Sequence, residues 1–132
     1  MPAVRLIASH NPTTTPHAQV VITGSSKGLG LALAEAFLEL GDSVCIASRD
    51  ATRTAEAAAQ LQSKFPSQAI FSQVADVRQE VAMEALADYA VKSMGGVDIW
   101  VNNAGCSQSL KASIVETPVQ VIQVRHPRSV YV

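Results

Sequence analysis

Four short apolar runs, separated by segments of helical periodicity, limit this chain to an α/β fold. The runs are nearly continuous and rich in β-branched residues, which is typical of parallel strands buried on both faces. They lie at residues 20–22, 44–46, 69–71 and 99–101. Because right-handed crossovers join parallel strands, this order predicts a doubly wound parallel sheet with helices on both faces and strand order 3-2-1-4.

Between these runs, apolar side chains recur at helical spacing and predict an inward face for each helix. The predicted faces are Leu29, Leu33, Ala36 or Phe37, and Leu40 in the first helix; Ala55, Ala58, Leu61 and Phe65 in the second; and Ala82, Leu86, and Tyr89 or Ala90 in the third. Gly41 and Gly95 mark helix ends, Asp50 suits the N-cap of the second helix, and Pro66 follows its end.

The composition excludes several classes of function. Of the 132 residues, 48% are apolar and 16% charged, and the formal net charge is −1. A disordered tail needs more charge and nucleic-acid binding needs a basic surface, so we expect a folded chain with no nucleic-acid partner. No apolar run approaches the ~20 residues of a membrane span, so no transmembrane segment is expected. With only Cys45 and Cys106, neither a disulfide framework nor a four-ligand zinc site is expected.

A glycine-rich turn follows the first predicted strand and opens the first predicted helix. Gly24 suits the tight turn, Gly28 lets the backbone approach a pyrophosphate, and Gly30 lets the helix pack against the sheet. The N–H groups of the helix N-terminus would face the anion. The spacing G-x-x-x-G-x-G differs from the dinucleotide fingerprint G-x-G-x-x-G and from the P-loop, which needs glycine where Leu29 stands. For this turn taken alone, the alternative of purely structural glycines stays open.

Two further segments follow the ends of predicted strands. Asp76 and Val77 come after the third strand, and Asn102-Asn103-Ala104-Gly105 ends the fourth. Ligands of open α/β sheets bind outside the carboxyl ends of the strands. We therefore predict that these two segments and the glycine turn form one site.

Together the three segments resemble the signatures of the short-chain dehydrogenase/reductase family, and the resemblance covers about residues 19–124. It implies an incomplete Rossmann-like fold and an oxidoreductase that uses a nicotinamide dinucleotide. At the turn, it implies that Gly24, Gly28 and Gly30 cradle the pyrophosphate and that Ser26, Lys27 and Leu29 also belong to the cofactor-binding site. At the other strand ends, it implies that Asp76 binds the adenine amino group beside the Val77 backbone, and that Asn103, Ala104 and Gly105, together with Asn102, brace the sheet and flank the ribose.

The end of the second strand bears on the choice of cofactor. NAD-preferring members of the family carry an acidic residue there, whereas this chain has Ser48 followed by Arg49. A guanidinium pairs bidentately with a phosphate, and Lys27 adds a second positive charge, so the resemblance implies NADP(H). Asp50 competes for the ribose, but its position before a helix suits an N-cap better. The alternative is that Lys27 and Arg49 are ordinary surface charges.

The family's catalytic elements are not found in this sequence. Carbonyl reduction needs a proton donor beside the hydride donor, which the family supplies through a serine and a Tyr-x-x-x-Lys motif. Tyr89 lies one residue too close to Lys92 and on an apolar helix face, and Tyr131 has one residue after it. We therefore expect no catalytic residue and no turnover, and assign no role to Ser107, Ser109 and Ser113. The interpretation is a truncated or alternatively spliced product, or an error of gene prediction.

The remaining segments carry expectations of their own. Residues 1–18 are expected to be a disordered tail, with a transit-segment remnant as the alternative. Residues 19–124 form the truncated nucleotide-binding domain, and residues 125–132 an atypical tail. Thr117 and Pro118 predict the start of a further helix. The outer edge of the fourth strand is expected to be bare, which invites aggregation or pairing with a partner. A homo-oligomer is expected only of a full-length form.

A narrower resemblance is to the plant and algal chlorophyll b reductases of this family, and residues 41–49 and 97–105 carry it. It implies reduction of the formyl group of chlorophyll(ide) b with NADPH in the chloroplast; without it, a cytoplasmic location is expected. Two alternatives stay open. One is a non-catalytic half-Rossmann module that binds a nucleotide or a partner, and the other is a product that misfolds.

Overall fold

Strands and helices alternate throughout the part of the chain that the structure describes. The computed structural model describes residues 17–105. The strands are β1 (Gln19–Thr23), β2 (Ser43–Ser48), β3 (Ile70–Val74) and β4 (Ile99–Val101). The helices are α1 (Gly28–Glu39), α2 (Ala51–Lys64) and α3 (Glu80–Met94). The predictions for residues 1–16 of the N-terminal tail, the C-terminal tail, the helix at Thr117 and the serines at 107, 109 and 113 concern residues outside this range. At the end of the predicted N-terminal tail, Ala18 packs against the core.

The strands form one parallel sheet in the order β3-β2-β1-β4. In its register, Val21 of β1 lies between Cys45 of β2 and Trp100 of β4. The predicted order 3-2-1-4 is therefore confirmed. Within residues 17–105, β4 pairs with β1 alone and forms an edge of the sheet, where Ile99 is 38% exposed.

The sheet is buried on both faces, as its continuous apolar strands predict. Alternate strand residues point to opposite faces, so Val20 and Ile22 face one core whereas Val21 faces the other. The first core packs α1 and α2 against the sheet through Ala34, Leu38, Ala57 and Leu61. The second packs α3 through Leu86 and Ala90. Helices thus cover both faces of the sheet, and the prediction for the third helix is confirmed.

The inward face predicted for the first helix is wrong at both ends. Leu29 is 69% exposed and Leu40 is 73% exposed, whereas the fully buried residues are Gly30, Ala34 and Leu38. These three recur every four residues, and small residues let a helix approach a sheet closely. Because glycine and alanine are only weakly hydrophobic, the pattern of leucines predicted a different inward face of the helix. In α2, Ala55 is likewise exposed and Thr54 and Ala57 are buried in its place.

Aspartate carboxylates bind backbone N–H groups where two of the elements begin. The Asp50 carboxylate accepts from the Arg53 backbone N–H at 2.9 Å, which confirms it as the N-cap of α2. Two other carboxylates hold the start of β1, which sequence reasoning did not predict. Asp42 accepts from the Ala18 N–H at 2.7 Å, and Asp98 accepts from the Gln19 N–H at 2.8 Å. Each aspartate directly precedes a strand that neighbours β1, and that position was the available signal.

Candidate functional site

The predicted site residues follow the ends of four parallel strands and therefore meet at one edge of the sheet. Gly24 follows β1, Arg49 follows β2, Asp76 lies two residues after β3, and Asn103 lies two residues after β4. Backbone hydrogen bonds connect these segments: the Ser25 N–H donates to the Ala47 carbonyl at 3.2 Å. This carboxyl edge is where open α/β sheets bind ligands.

The turn after β1 is held by a buried hydroxyl. Ser25 is fully buried; its Oγ donates to the Ile22 carbonyl at 2.6 Å and accepts from the Ala47 N–H at 3.0 Å. Gly24 and Gly28 flank this anchor with φ values of +63° and +58°, in the left-handed region that glycine adopts without strain. The turn therefore needs glycine at both positions, as the spacing predicts.

The three glycines differ in what surrounds them. A Cβ on Gly24 would lie 2.7 Å from the Ala104 Cα, so β4 approaches the turn too closely for a side chain. A Cβ on Gly30 would collide with the Gly24 carbonyl oxygen and lie 2.6 Å from the Asn103 Nδ2. The absence of a side chain at Gly30 therefore lets the start of α1 lie close to the turn after β1 and to Asn103 after β4. A Cβ on Gly28 would meet no described atom within 4 Å.

The end of β4 is tied to the turn by three hydrogen bonds. The backbone N–H groups of Asn103 and Ala104 donate to the Thr23 Oγ1 at 3.2 and 3.1 Å. The Asn103 side chain donates to the Gly24 carbonyl at 3.1 Å. Asn103 and Ala104 therefore brace the end of β4 against the end of β1 and the turn that follows it. Sequence reasoning missed Thr23, although a polar residue closing a buried strand at this edge was a usable signal.

Ser48 and Asp50 are engaged by the first turn of α2. The Ser48 hydroxyl lies 2.6 Å from the Thr54 hydroxyl and donates to the Asp50 carbonyl at 3.3 Å, and Ser48 is 8% exposed. The Asp50 carboxylate caps the helix and lies 3.9 Å from the Arg53 Nε. Arg49 and Asp50 are both exposed, and because the Asp50 carboxylate caps α2, the charge offered to a ligand at this position is the positive charge of Arg49.

Positive charge and exposed backbone lie at the same edge. Lys27 and Arg49 are exposed, as is Leu29, whereas Ser26 is half-buried. Lys27 immediately precedes the N-terminus of α1. The first N–H groups of a helix have no partner within the helix and attract anions. The arrangement suits a ligand with more than one negative group.

The Asp76 carboxylate is held by the residue two positions along the chain. The Arg78 backbone N–H donates to Asp76 Oδ1 at 3.0 Å, and the Arg78 Nε and Nη2 reach the two carboxylate oxygens at 3.0 and 2.7 Å. These hydrogen bonds, with a weaker contribution from the charge of Arg49, lower the pKa of Asp76 to about 2. Asp76 is therefore an ionised acceptor at neutral pH. Sequence reasoning missed Arg78, although an aspartate that bonds the N–H two residues on is a common turn signal.

The remaining predicted site residues at this edge are partly accessible to a ligand. Val77 and Ala104 are half-buried, and Gly105 is exposed. Burial raises the pKa of the Cys45 thiol to about 12, so this cysteine is not poised for reaction. Among residues 17–105, no group of three His, Cys, Asp or Glu side chains could hold a metal ion. The same range contains no helix long and apolar enough to cross a membrane.

Comparison with known families agrees with this geometry. Residues 18–124 match the family described as short chain dehydrogenase. A solved structure of L-sorbose reductase from Gluconobacter frateurii, in complex with NADPH and L-sorbose, superposes with a TM-score of 0.69 at 31% identity. That match covers 84% of this chain and 47% of the reductase.

Two curated relatives have different activities. A chloroplastic chlorophyll(ide) b reductase of rice, Oryza sativa subsp. japonica, is 44% identical over 102 residues, covering 77% of this chain. The 3β-hydroxysteroid dehydrogenase 1 of Eggerthella lenta is 43% identical over 100 residues, covering 74% of this chain. This chain spans 30% of the rice protein and 38% of the bacterial one. The region shared with this chain therefore occurs, at nearly equal sequence identity, in two enzymes whose substrates differ.

Proposed function

Because this chain belongs to the short-chain dehydrogenase/reductase family, we propose that it binds NADP(H) at the carboxyl edge of its sheet. The observation that carries the proposal is the convergence of the glycine turn, Arg49, Asp76 and Asn103 at that edge. Each would contact one part of a dinucleotide phosphate: the glycine turn the pyrophosphate, Arg49 the 2′-phosphate, Asp76 the base and Asn103 the ribose. NADPH in the structure of L-sorbose reductase supports a nicotinamide dinucleotide as the ligand class.

The pyrophosphate would bind at the turn between β1 and α1. A Cβ on Gly28 would meet no described atom within 4 Å, so the backbone there is open to close approach by a large anion. The N-terminus of α1 and the exposed Lys27 add favourable electrostatics. Leu29, exposed at the helix start, would contact the ligand rather than the core.

The phosphorylated cofactor is favoured over NAD(H) by the end of β2. An acidic residue here would repel a 2′-phosphate, but the one candidate, Asp50, has its carboxylate turned into the cap of α2. Arg49 is exposed beside it, and its charge contributes to lowering the pKa of Asp76. Arg49 would therefore reach the ribose phosphate while Asp76 holds the base.

Bound NADPH would supply a hydride for carbonyl reduction, and these residues would orient it. The 132 residues contain no Tyr-x-x-x-Lys motif, so we propose that they bind the dinucleotide without turning over a substrate. Among carbonyl substrates, the similarity to the rice enzyme favours the formyl group of chlorophyll(ide) b, and it favours a chloroplast location.

We expect the purified chain to bind NADPH saturably, with a Kd between about 1 μM and 1 mM. The measurement is NADPH fluorescence, with energy transfer from Trp100 in β4 as a second signal because it is the sole tryptophan. Gly28→Ala is expected to weaken binding at least tenfold, because the added methyl group would occupy the position of the pyrophosphate.

The matched control for Gly28→Ala is Gly95→Ala. Gly95 also has a positive φ, +81°, and a Cβ there would also meet no described atom within 4 Å, but it follows α3 at the opposite edge of the sheet. Both variants should lose about 1 kcal/mol of stability, and only Gly28→Ala should lose affinity. Equal affinities for the two variants, or no saturable binding by the wild type, would contradict the proposed site.

Turnover is tested separately with a panel of aldehydes and ketones that includes chlorophyllide b. We expect no NADPH oxidation above the buffer rate, because no group in the sequence matches the family's proton donor. Measurable carbonyl reduction by the pure chain would contradict this and require a different general acid.

A further inference from the structure

The ion pair between Asp76 and Arg78 stands apart from the other ion pairs of the described residues because it lies inside the candidate site. Two other pairs, Arg53–Asp50 and Lys64–Glu35, belong to the cap and the surface of α2. The Asp76 pair instead follows β3 at the carboxyl edge, where the proposed function places the base of the dinucleotide.

The geometry of this pair fixes the direction of the carboxylate. The Arg78 Nε reaches Oδ1 at 3.0 Å and Oδ2 at 3.2 Å, Nη2 reaches Oδ2 at 2.7 Å, and the Arg78 backbone N–H reaches Oδ1 at 3.0 Å. A guanidinium fork is planar and rigid, so it determines both the rotation and the tilt of the carboxylate. Three N–H donors of one residue thus engage both oxygens.

The pair still leaves room for a ligand. A carboxylate has about four acceptor positions. Arg78 makes four contacts with only three N–H groups, because Nε–H is shared between the two oxygens, and the Asp76 side chain is 25% exposed. The remaining position has a direction set by the fork. Because an ionised carboxylate only accepts hydrogen bonds, it binds an exocyclic amino group and repels a carbonyl oxygen in the same place.

We propose that Arg78 is a positioning residue that sets base selectivity: it holds Asp76 in the orientation that accepts an amino group at position 6 of a purine. This rests on the proposed function, and it adds a residue and a selectivity to it. The ligand class is a dinucleotide whose base is adenine, in preference to the same dinucleotide with a 6-oxo purine.

The test compares NADPH with its hypoxanthine analogue, in which a carbonyl replaces the adenine amino group. For the wild type, the analogue is expected to bind at least tenfold more weakly, because a hydrogen bond to a charged group is lost and two acceptors face each other. The ratio of the dissociation constants of the analogue and of NADPH measures this selectivity. Arg78→Ala is expected to reduce the ratio about threefold to tenfold. The reduction is partial because the backbone N–H at position 78 still reaches Oδ1.

Arg78→Lys separates orientation from charge. Lysine retains the positive charge but not the planar fork. The ratio of dissociation constants for Arg78→Lys should therefore be reduced as much as the ratio for Arg78→Ala. At pH 7 the carboxylate stays ionised in both variants, because its ordinary pKa near 3.8 is already far below 7. Lys64→Ala, which removes a 2.8 Å ion pair on α2 away from the site, is the matched control and should keep the wild-type ratio. Arg78 is 43% exposed, and circular dichroism verifies that its variants fold.

The outcomes separate this inference from the proposed function. If the wild type binds NADPH and Gly28→Ala behaves as expected, but Arg78→Ala keeps the wild-type ratio, Arg78 is a structural residue only and the inference is overturned. A wild-type ratio for Arg78→Lys would overturn the role of orientation. Absence of saturable NADPH binding by the wild type would overturn both proposals. Asp76→Asn is expected to bring the ratio near one, because an amide can donate to the 6-oxo group.

Discussion

Replacing Gly30 with alanine is expected to lower the free energy of unfolding by about 3 kcal/mol or more, the largest stability change predicted for this chain. The new Cβ would collide with the Gly24 carbonyl oxygen and lie 2.6 Å from the Asn103 Nδ2 and 2.8 Å from the Ser25 Cα. Two of these atoms are backbone, and Asn103 is bound to Gly24, so none can move aside without breaking the turn.

Thermal or urea unfolding followed by circular dichroism measures this effect. For a domain of this size about 1 kcal/mol corresponds to roughly 4–8 °C, so the midpoint should fall by more than about 10 °C. The control is Gly96→Ala, because a Cβ there meets no described atom within 4 Å and its φ is not in the left-handed region. Similar midpoints for the two variants would show that the turn relaxes around Gly30 and would contradict the prediction.

Replacing Arg49 with aspartate is expected to shift the preference between NADPH and NADH by about 100-fold toward NADH. The substitution removes a charge-assisted pair with the 2′-phosphate, worth about 1.5–3 kcal/mol, and adds a carboxylate that repels it. The same carboxylate can accept from the free ribose hydroxyls of NADH. The measurement is the ratio of the two dissociation constants.

Arg53→Asp is the control for Arg49→Asp. It makes the same change of charge four residues along the chain, in the first turn of α2, where Arg53 contacts Asp50. A long-range effect of net charge would move both variants equally, whereas a direct phosphate contact moves only Arg49→Asp. Unchanged NADPH affinity in Arg49→Asp would contradict the role of Arg49.

Much of the fold could be predicted because each prediction rests on local chemistry. Continuous β-branched runs gave the strands, and crossover handedness gave their order. Asp50 could be assigned as an N-cap, since capping involves only residues of one turn. The spacing of Gly24 and Gly28 likewise indicated a turn with left-handed positions, because φ is a property of one residue.

The errors occurred where contacts join distant segments. Leu29 and Leu40 looked like core residues because two apolar stripes overlap on α1, and only the packed sheet selects the one through Ala34 and Leu38. The carboxylates of Asp42 and Asp98 bind the start of β1 across 24 and 79 residues of sequence. A position directly before a strand marks each aspartate as a candidate, but only the assembled sheet determines which backbone N–H group it binds.

The sequence by itself determined the alternation of strands and helices, the parallel order of the sheet and the family, because periodicity and glycine spacing are encoded within short segments. Tertiary structure alone decided what each site residue faces. It brought Asn103 against Gly24 and left Arg49 exposed at the carboxyl edge of the sheet. These arrangements arise because the ends of strands that are distant in the sequence meet in the folded sheet, and short sequence patterns do not specify such contacts.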